Sequence, residues 1–459
     1  MKSSRVIESM LNAVGSVPDC TQCFPDFTTD QMVNINWGWM ETNPYLSKIQ
    51  SEELIRIRDH YQPIKNSYIQ FICELKPNAH GLEFIMDDPY EDIQNFGYAE
   101  RLMTLFTYWN IIEYYYPYKY LSNSDWDKTL EEAIPIFIAA ESQHDFQLAM
   151  LWISRQINDS HAYGSSGYLR KNYFGQLRAP FGLKLVEDSI VSIAYILSDS
   201  LAAQADIRLG DQVIELNSRP IWDHIHEKSK YTAGANKATF YKNCLRLVLR
   251  DTLESMSLKI KRDGEILART VDKCEQGQIK YPVPKAPLWG TIDEDKNIVF
   301  CKAFPLSGEE EARKFIDEAK EAEGIILDLR PFTGMKREVF NVLVKAFCPE
   351  GAIDSRVFQP NEQYPGITEF LGTQTVTSGR LHKTIREKPI AFIVGENAIS
   401  LDEYRIMILQ TNPTAYTIGS PTSGALADKG TINLPGGFTT YFTQKGMTYP
   451  DGTSKNRST

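Results

Sequence analysis

The chain has no basic run and no apolar run long enough to cross a bilayer, and each absence excludes a class of function. Across 459 residues, 49 Lys and Arg stand against 59 Asp and Glu, a formal net charge of −10. Such a surface is repelled by phosphate backbones and anionic headgroups, so neither nucleic acid nor a membrane surface is expected as a main partner. A bilayer-crossing helix needs about 20 consecutive apolar residues, and no membrane span is expected. The first twenty residues carry Lys2, Arg5, Glu8 and Asp19 without a continuous apolar centre, and do not read as a signal peptide. Cysteine is scarce: seven in all, with Cys20 and Cys23 as the one close pair. A lone C-x-x-C is weak support for zinc or redox chemistry and fits a local disulfide equally well. Cys301 and Cys348 lie in apolar stretches typical of buried thiols. No metal ion and no cofactor is expected. Repeats and low-complexity segments are absent.

What is present is the composition of an ordinary soluble globular protein, 42% hydrophobic and 24% charged, in a chain too long for one core. Changes in periodicity divide it into an N-terminal helical unit (1–90), a helical segment (91–175), a β-rich segment (176–285) and an α/β segment (286–459). Ser51–Asn66 reads as a helix. Ala99, Leu102, Met103 and Phe106 recur at helical spacing. Phe146, Ala149, Met150, Ile153 and Ile157 form a second amphipathic stripe, which ends in the polar turn Asn158–Gly164. Short alternating strands fill Pro180–Lys273. Beyond Asn297, strands at Ile298–Phe304, Ile325–Leu329 and Ala415–Ile418 alternate with helices at Gly308–Glu323 and Met335–Cys348. That alternation implies crossover units and a mostly parallel sheet, hence a multidomain α/β fold. Glu350–Glu387 breaks the rhythm and reads as a long insertion, and Leu434–Phe438 as a turn between two strands.

Three stretches carry candidate chemistry. Pro389–Val394 is a short apolar run bounded by Pro and Gly, a buried parallel strand, and a helix follows Ser400. Ser400 thus stands at a strand-to-helix junction, beside amides that stabilise negative charge. The same residues spell the capping box Ser400-Leu401-Asp402-Glu403, and an ordinary helix start is the competing reading. Acyl transfer at neutral pH needs a base with a pKa near 7, which histidine meets with little tuning. Of the seven histidines, His161 has the most site-like setting, a polar turn flanked by small residues. In Asp328–Met335 a strand end leads through Gly334 into a helix, where amides can face a developing oxyanion.

The order of these stretches resembles one family. Ala202, Ala205, Gly210-Asp211 and Asn217 are spaced as in the peptide-binding PDZ domain, with Asp206 and Ser218 where two glycines are usual. A helix ending Asp159-Ser160-His161-Ala162-Tyr163 precedes this module. Asp328-Leu329-Arg330, the Asn397, Ser400 and Glu403 junction, and Gly446–Thr453 follow it. From about Gly97 to Thr459 the chain resembles the carboxyl-terminal processing (tail-specific) peptidases, and most of all their tricorn core peptidase branch. The resemblance implies a crotonase-like (ClpP-like) α/β core with a helical segment and an inserted PDZ-like domain. It implies Ser400 as nucleophile, His161 as general base and Ser160 as the residue that orients it. The amides of Gly334 and Leu401 would form an oxyanion hole. Phe181, Gly182 and Leu183 would form the loop that takes a peptide's terminal carboxylate, and the location implied is extracytoplasmic. The chain departs from the pattern at Phe332 and Met335, at Ala425 where the tail-specific branch has its lysine, and at Asn456 where the tricorn branch has a glutamate. Two functions follow: a serine peptidase acting on peptides or protein tails, or a relative that binds peptide or a small hydrophobic ligand in the same cleft without turnover.

Overall fold

Three large apolar cores and a smaller cluster of Val357, Met407, Leu426 and Met447 organise the computed structural model, which describes residues 2–19, 32–60, 69–71, 82–85, 96–282, 287–330, 334–361, 363–380 and 382–454. The Cys20 and Cys23 pair and Asn456 lie outside the described residues. So does the end of the helix expected over Ser51–Asn66. The helix itself runs Lys48–Asp59, starting earlier than expected because Ser47 and Gln50 cap it reciprocally.

The first core is helical. α1 (Tyr98–Tyr115), α2 (Trp126–Ala139) and α3 (Gln143–Arg155) bury Tyr108, Ile112, Phe137, Phe146 and Met150 against one another. Asp125 and Ser142 cap α2 and α3 through side-chain oxygens. Asn158, at φ 51°, then turns the chain into Asp159-Ser160-His161.

The second core is a β module. β1 (Phe181–Val186), β2 (Ile190–Ile196), β3 (Gln212–Leu216), β4 (Ser255–Arg262) and β5 (Glu265–Asp272) form an antiparallel sheet in the order β5-β4-β3-β2-β1. Met256, Leu258 and Ile260 alternate inward along β4. Helix α4 (Lys237–Val248) packs against the end strand β1. Phe181, Gly182 and Leu183 do not form the expected loop. They belong to β1, where Phe181 and Gly182 pair with Ile196 and Tyr195. Phe181 is wholly buried, and the Tyr195 ring lies within 2.4 Å of where a Gly182 side chain would begin. Pairing and burial outcompete an open loop here.

The third core is the α/β segment. It comprises β6 (Trp289–Asp293), β7 (Ile298–Lys302), α5 (Glu309–Glu321), β8 (Gly324–Asp328) and α6 (Arg337–Phe347). The hairpin β9 (Ile353–Pro360) and β10 (Ile367–Thr375) follows, then β11 (Ile390–Val394), α7 (Leu401–Leu409) and β12 (Ala415–Gly419). The sheet order is β6-β7-β8-β11-β12, parallel from β7 onward, with β6 antiparallel. Phe315, Leu343, Phe347, Ile406 and Leu409 from the helices pack with Leu327 and Phe392 of the strands. The stretch expected as an insertion is the β9–β10 hairpin, integrated into a second sheet. It pairs with the short strand Met32–Val33 on one side and with β15 (Gly446–Thr448) on the other. Between β12 and β15, β13 (Lys429–Leu434) and β14 (Phe438–Thr443) form the expected hairpin. Their Ile432, Leu434, Phe438 and Phe442 enter the helical core, so this hairpin is packed against α1–α3. Among the described residues no helix is long and apolar enough to cross a membrane.

Phe392, wholly buried in the central strand β11, sets the stability of this core. Phe392→Ala is expected to cost about 3–5 kcal/mol, read as a lower denaturant midpoint with an unchanged m-value. A change below about 1 kcal/mol would contradict the packing described.

Candidate active site

Ser400 has φ 54° and ψ −117°. Both arms of the expected capping box are present, but a helix N-cap ordinarily has extended backbone, so Ser400 caps α7 from an unusual conformation. A non-glycine residue held there costs about 1–3 kcal/mol. A sharp strand-to-helix elbow of this kind is how a fold exposes a nucleophilic side chain at the end of a sheet. The amide of Ser400 donates to Glu403 Oε2 at 3.1 Å, the backward arm of the capping box.

Glu403 does more than cap. It is fully buried, and it also accepts the amides of Gly424 at 2.7 Å and Ala425 at 2.9 Å. The elbow is thereby joined to the 423–425 segment. The amide of Ser423 donates to Ala398 O at 2.8 Å, and its hydroxyl to Glu396 O at 2.8 Å. Ser423 O in turn accepts the hydroxyl of Ser160 at 2.5 Å. Ser160-His161, Ser423 and the Ser400 elbow therefore form one hydrogen-bonded unit assembled from opposite ends of the chain.

His161 is 4% exposed. Its amide donates to Asp159 Oδ1 at 2.8 Å, and its ring Nδ1 lies 2.8 Å from Thr443 Oγ1. Burial lowers its pKa and Lys429 acts in the same direction. Asp159, Glu403 and Asp428 oppose them. The Ser160 hydroxyl is engaged elsewhere: besides Ser423 O it meets the amide of Ala235, which donates to it at 2.9 Å. The ring partner of His161 is Thr443, at the end of β14, a residue that no local sequence signal singles out.

The β module reaches the same unit. Asn236 donates to Thr422 O at 2.7 Å, and Lys184 of β1 pairs with Glu396 Oε1 at 3.0 Å. Lys242 of α4 donates to Glu396 O and, at 3.1 Å, to Ser423 Oγ. Burial pushes its ammonium down to about 8. Neither lysine was legible as a site residue, since both lie more than 150 positions from the groups they touch.

The other predicted residues cluster at the same sheet end. The Leu329 amide donates to Ile393 O at 2.8 Å, so the loops after β8 and β11 emerge side by side. Gly334 is exposed in the first loop, and Leu401, 57% exposed, opens α7 in the second. Arg405 of α7 donates to Met335 O at 2.9 Å and ties the two. Phe332 lies outside the described residues. Arg330 forms a two-pronged ion pair with Asp328. Ala425 is buried, and Lys429 lies 4.2 Å from the centre of the Tyr441 ring. Among the described residues no group of three or more His, Cys, Asp and Glu side chains could hold a metal ion.

At this sheet end a serine with strained backbone is linked to a buried histidine turn through Glu403, the 423–425 segment and Ser160. Residues 298–458, about a third of the chain, match the family described as peptidase family S41. No curated protein sequence matches the chain. Among solved structures it is similar to mature CPAF complexed with lactacystin, at 15% identity, TM-score 0.56, with 78% of this chain and 92% of that chain covered. Mature CPAF alone gives 16% identity and TM-score 0.55, covering 78% of this chain and 90% of the other. At these identities the likeness is one of fold.

Glu403→Gln retains size but can accept fewer of the three amides and places an NH2 against one of them. Leaving buried donors unpaired costs about 1–3 kcal/mol each. The expected result is a lower thermal midpoint and faster proteolytic nicking between 395 and 425, against no change if the carboxylate were incidental.

Proposed function

We propose that the chain is a serine peptidase acting on peptides or protein tails, with Ser400 as nucleophile and His161 as general base. The observation that carries this reading is the strained backbone of Ser400, tied through Glu403 and the 423–425 segment to the Ser160-His161 turn. Ser400 Oγ attacks the scissile carbonyl carbon while its proton passes to His161 Nε2. The amides of Gly334 and Leu401 hold the resulting oxyanion. Collapse breaks the C–N bond and His161 returns the proton to the leaving amine, which leaves an acyl group on Ser400. Water then attacks the ester, with the same proton transfers, and releases the new carboxyl terminus. The tricorn type of this chemistry fits better than a Ser–Lys dyad, since Ala425 stands at the lysine position.

The β module is read as a PDZ-like domain. β1 ends its sheet and α4 lies against it, the strand-and-helix pairing by which an extended peptide end is taken up. Phe181 and Leu183 support that groove from within the core rather than as an open carboxylate loop. The α/β segment is read as crotonase-like and the location as extracytoplasmic, both from the family resemblance.

A fluorophosphonate probe is expected to label the wild-type protein at Ser400, and Ser400→Ala to abolish labelling with the fold intact. An unlabelled but folded wild type would favour the alternative, a peptide-binding relative without turnover. Lactacystin, the ligand in one of the similar structures, is a second probe.

The pH dependence has a definite sign. A base must be neutral to act, and burial lowers the pKa of His161. The acid limb of kcat/KM is therefore expected below the ordinary histidine value of about 6.5. Lys429→Gln removes a positive charge that depresses His161 and should move the limb upward; Asp159→Asn removes a negative charge and should move it downward.

A further inference from the structure

We infer that Thr443 and Asp159 are the positioning residues that set the proton of His161, the task the family resemblance gives to Ser160. The inference rests on the reading of His161 as base. It follows from counting hydrogens. The Asp159 carboxylate accepts the His161 amide at 2.8 Å, the Thr443 amide at 2.5 Å and the Thr443 hydroxyl at 3.0 Å. An ionised carboxylate only accepts, and a threonine hydroxyl has one hydrogen to give. That hydrogen goes to Asp159, so Thr443 Oγ1 offers only a lone pair to the ring nitrogen 2.8 Å away. His161 Nδ1 must then carry the ring hydrogen, and Nε2 is left with the free lone pair that a general base needs.

The arrangement also stabilises the imidazolium. When Nε2 takes a proton, positive charge develops on a ring whose Nδ1 lies 3.9 Å from Asp159 Oδ1. Asp159 is 1% exposed and Thr443 fully buried, so water does little to screen the attraction. Glu403 and Asp428 favour the charged ring as well, and Lys429 opposes it. Ser160 cannot do this work as placed. Its hydrogen is given to Ser423 O, and its remaining contact receives the Ala235 amide.

Thr443 and Asp159 also staple β14 to the turn after α3, so the test must separate orientation from stapling. Thr443→Val keeps the shape and the Thr443 amide bond but removes the hydroxyl. Asp159→Asn removes the charge that holds the threonine hydrogen and sets an NH2 against one of the two amides the carboxylate accepts; with the NH2 in the Oδ1 position it donates to Oγ1, which frees the threonine hydrogen to point at Nδ1 and favours the opposite tautomer. The readouts are the ring 15N shifts of histidine-labelled protein, with His161 assigned by difference against His161→Gln, and the rate of fluorophosphonate labelling. The expected result is a wild-type ring with hydrogen on Nδ1, lost in Thr443→Val and Asp159→Asn and restored in Thr443→Ser. Labelling should slow by up to about 100-fold in the first two, the lower end of what a general base supplies, and recover in the third. A wild-type ring with hydrogen on Nε2, or a Thr443→Val protein with unchanged tautomer and rate, overturns the inference. If wild type is not labelled at all, the nucleophile assignment fails while the 15N shifts still decide the role of Thr443. Should Thr443→Val not fold, the tautomer of Asp159→Asn decides it.

Discussion

The buried carboxylate of Glu403 is the interaction on which the candidate site depends. Taking a carboxylate out of water is costly unless its oxygens are satisfied. Here they are met by the amides of Ser400, Gly424 and Ala425. Those three amides belong to the two segments that follow the paired strands β11 and β12. The same group that starts α7 therefore holds a non-glycine residue in a costly backbone conformation and brings the 423–425 segment beside it. Strain at Ser400 persists because its surroundings over-determine it.

From that segment the connections spread to the rest of the fold. Ser423 reaches Ser160 of the helical region, and Thr422 and Ser423 reach Asn236 and Lys242 of the β module. The β13–β14 hairpin is held from the other side, since Phe438 and Phe442 are packed among α1–α3. Its last residue, Thr443, is thus delivered to His161 by hydrophobic packing rather than by any property of the turn that carries the histidine. A stable core places the polar groups, and a short chain of hydrogen bonds orients them.

Much of this was legible along the chain. The α/β alternation, the helices that carry Ala99–Phe106 and Phe146–Ile153, and the turn at Leu434–Phe438 all appear where the periodicity places them, because each is decided by local burial and turn chemistry. The misreadings share a cause. Phe181–Leu183 is expected as a loop from the resemblance to the PDZ domain, yet pairing with β2 and the cover of Tyr195 make it a strand. Glu350–Glu387 looked like an insertion because its partners, Met32–Val33 and Gly446–Thr448, lie far away in sequence.

The amino-acid sequence by itself determined the classes of element, the position of Ser400 at a strand-to-helix junction, and the histidine turn that follows α3. These depend on residues within a few positions of one another, where apolar periodicity and capping chemistry act directly. Only the tertiary structure decided that Ser400 caps α7 from an elbow conformation, and that Thr443, Lys184 and Lys242 attend the site. The elbow depends on Glu403 meeting amides 21 and 22 positions away, and the attending residues on contacts across about 150 to 280 positions; no local pattern encodes which distant donor will satisfy a buried acceptor.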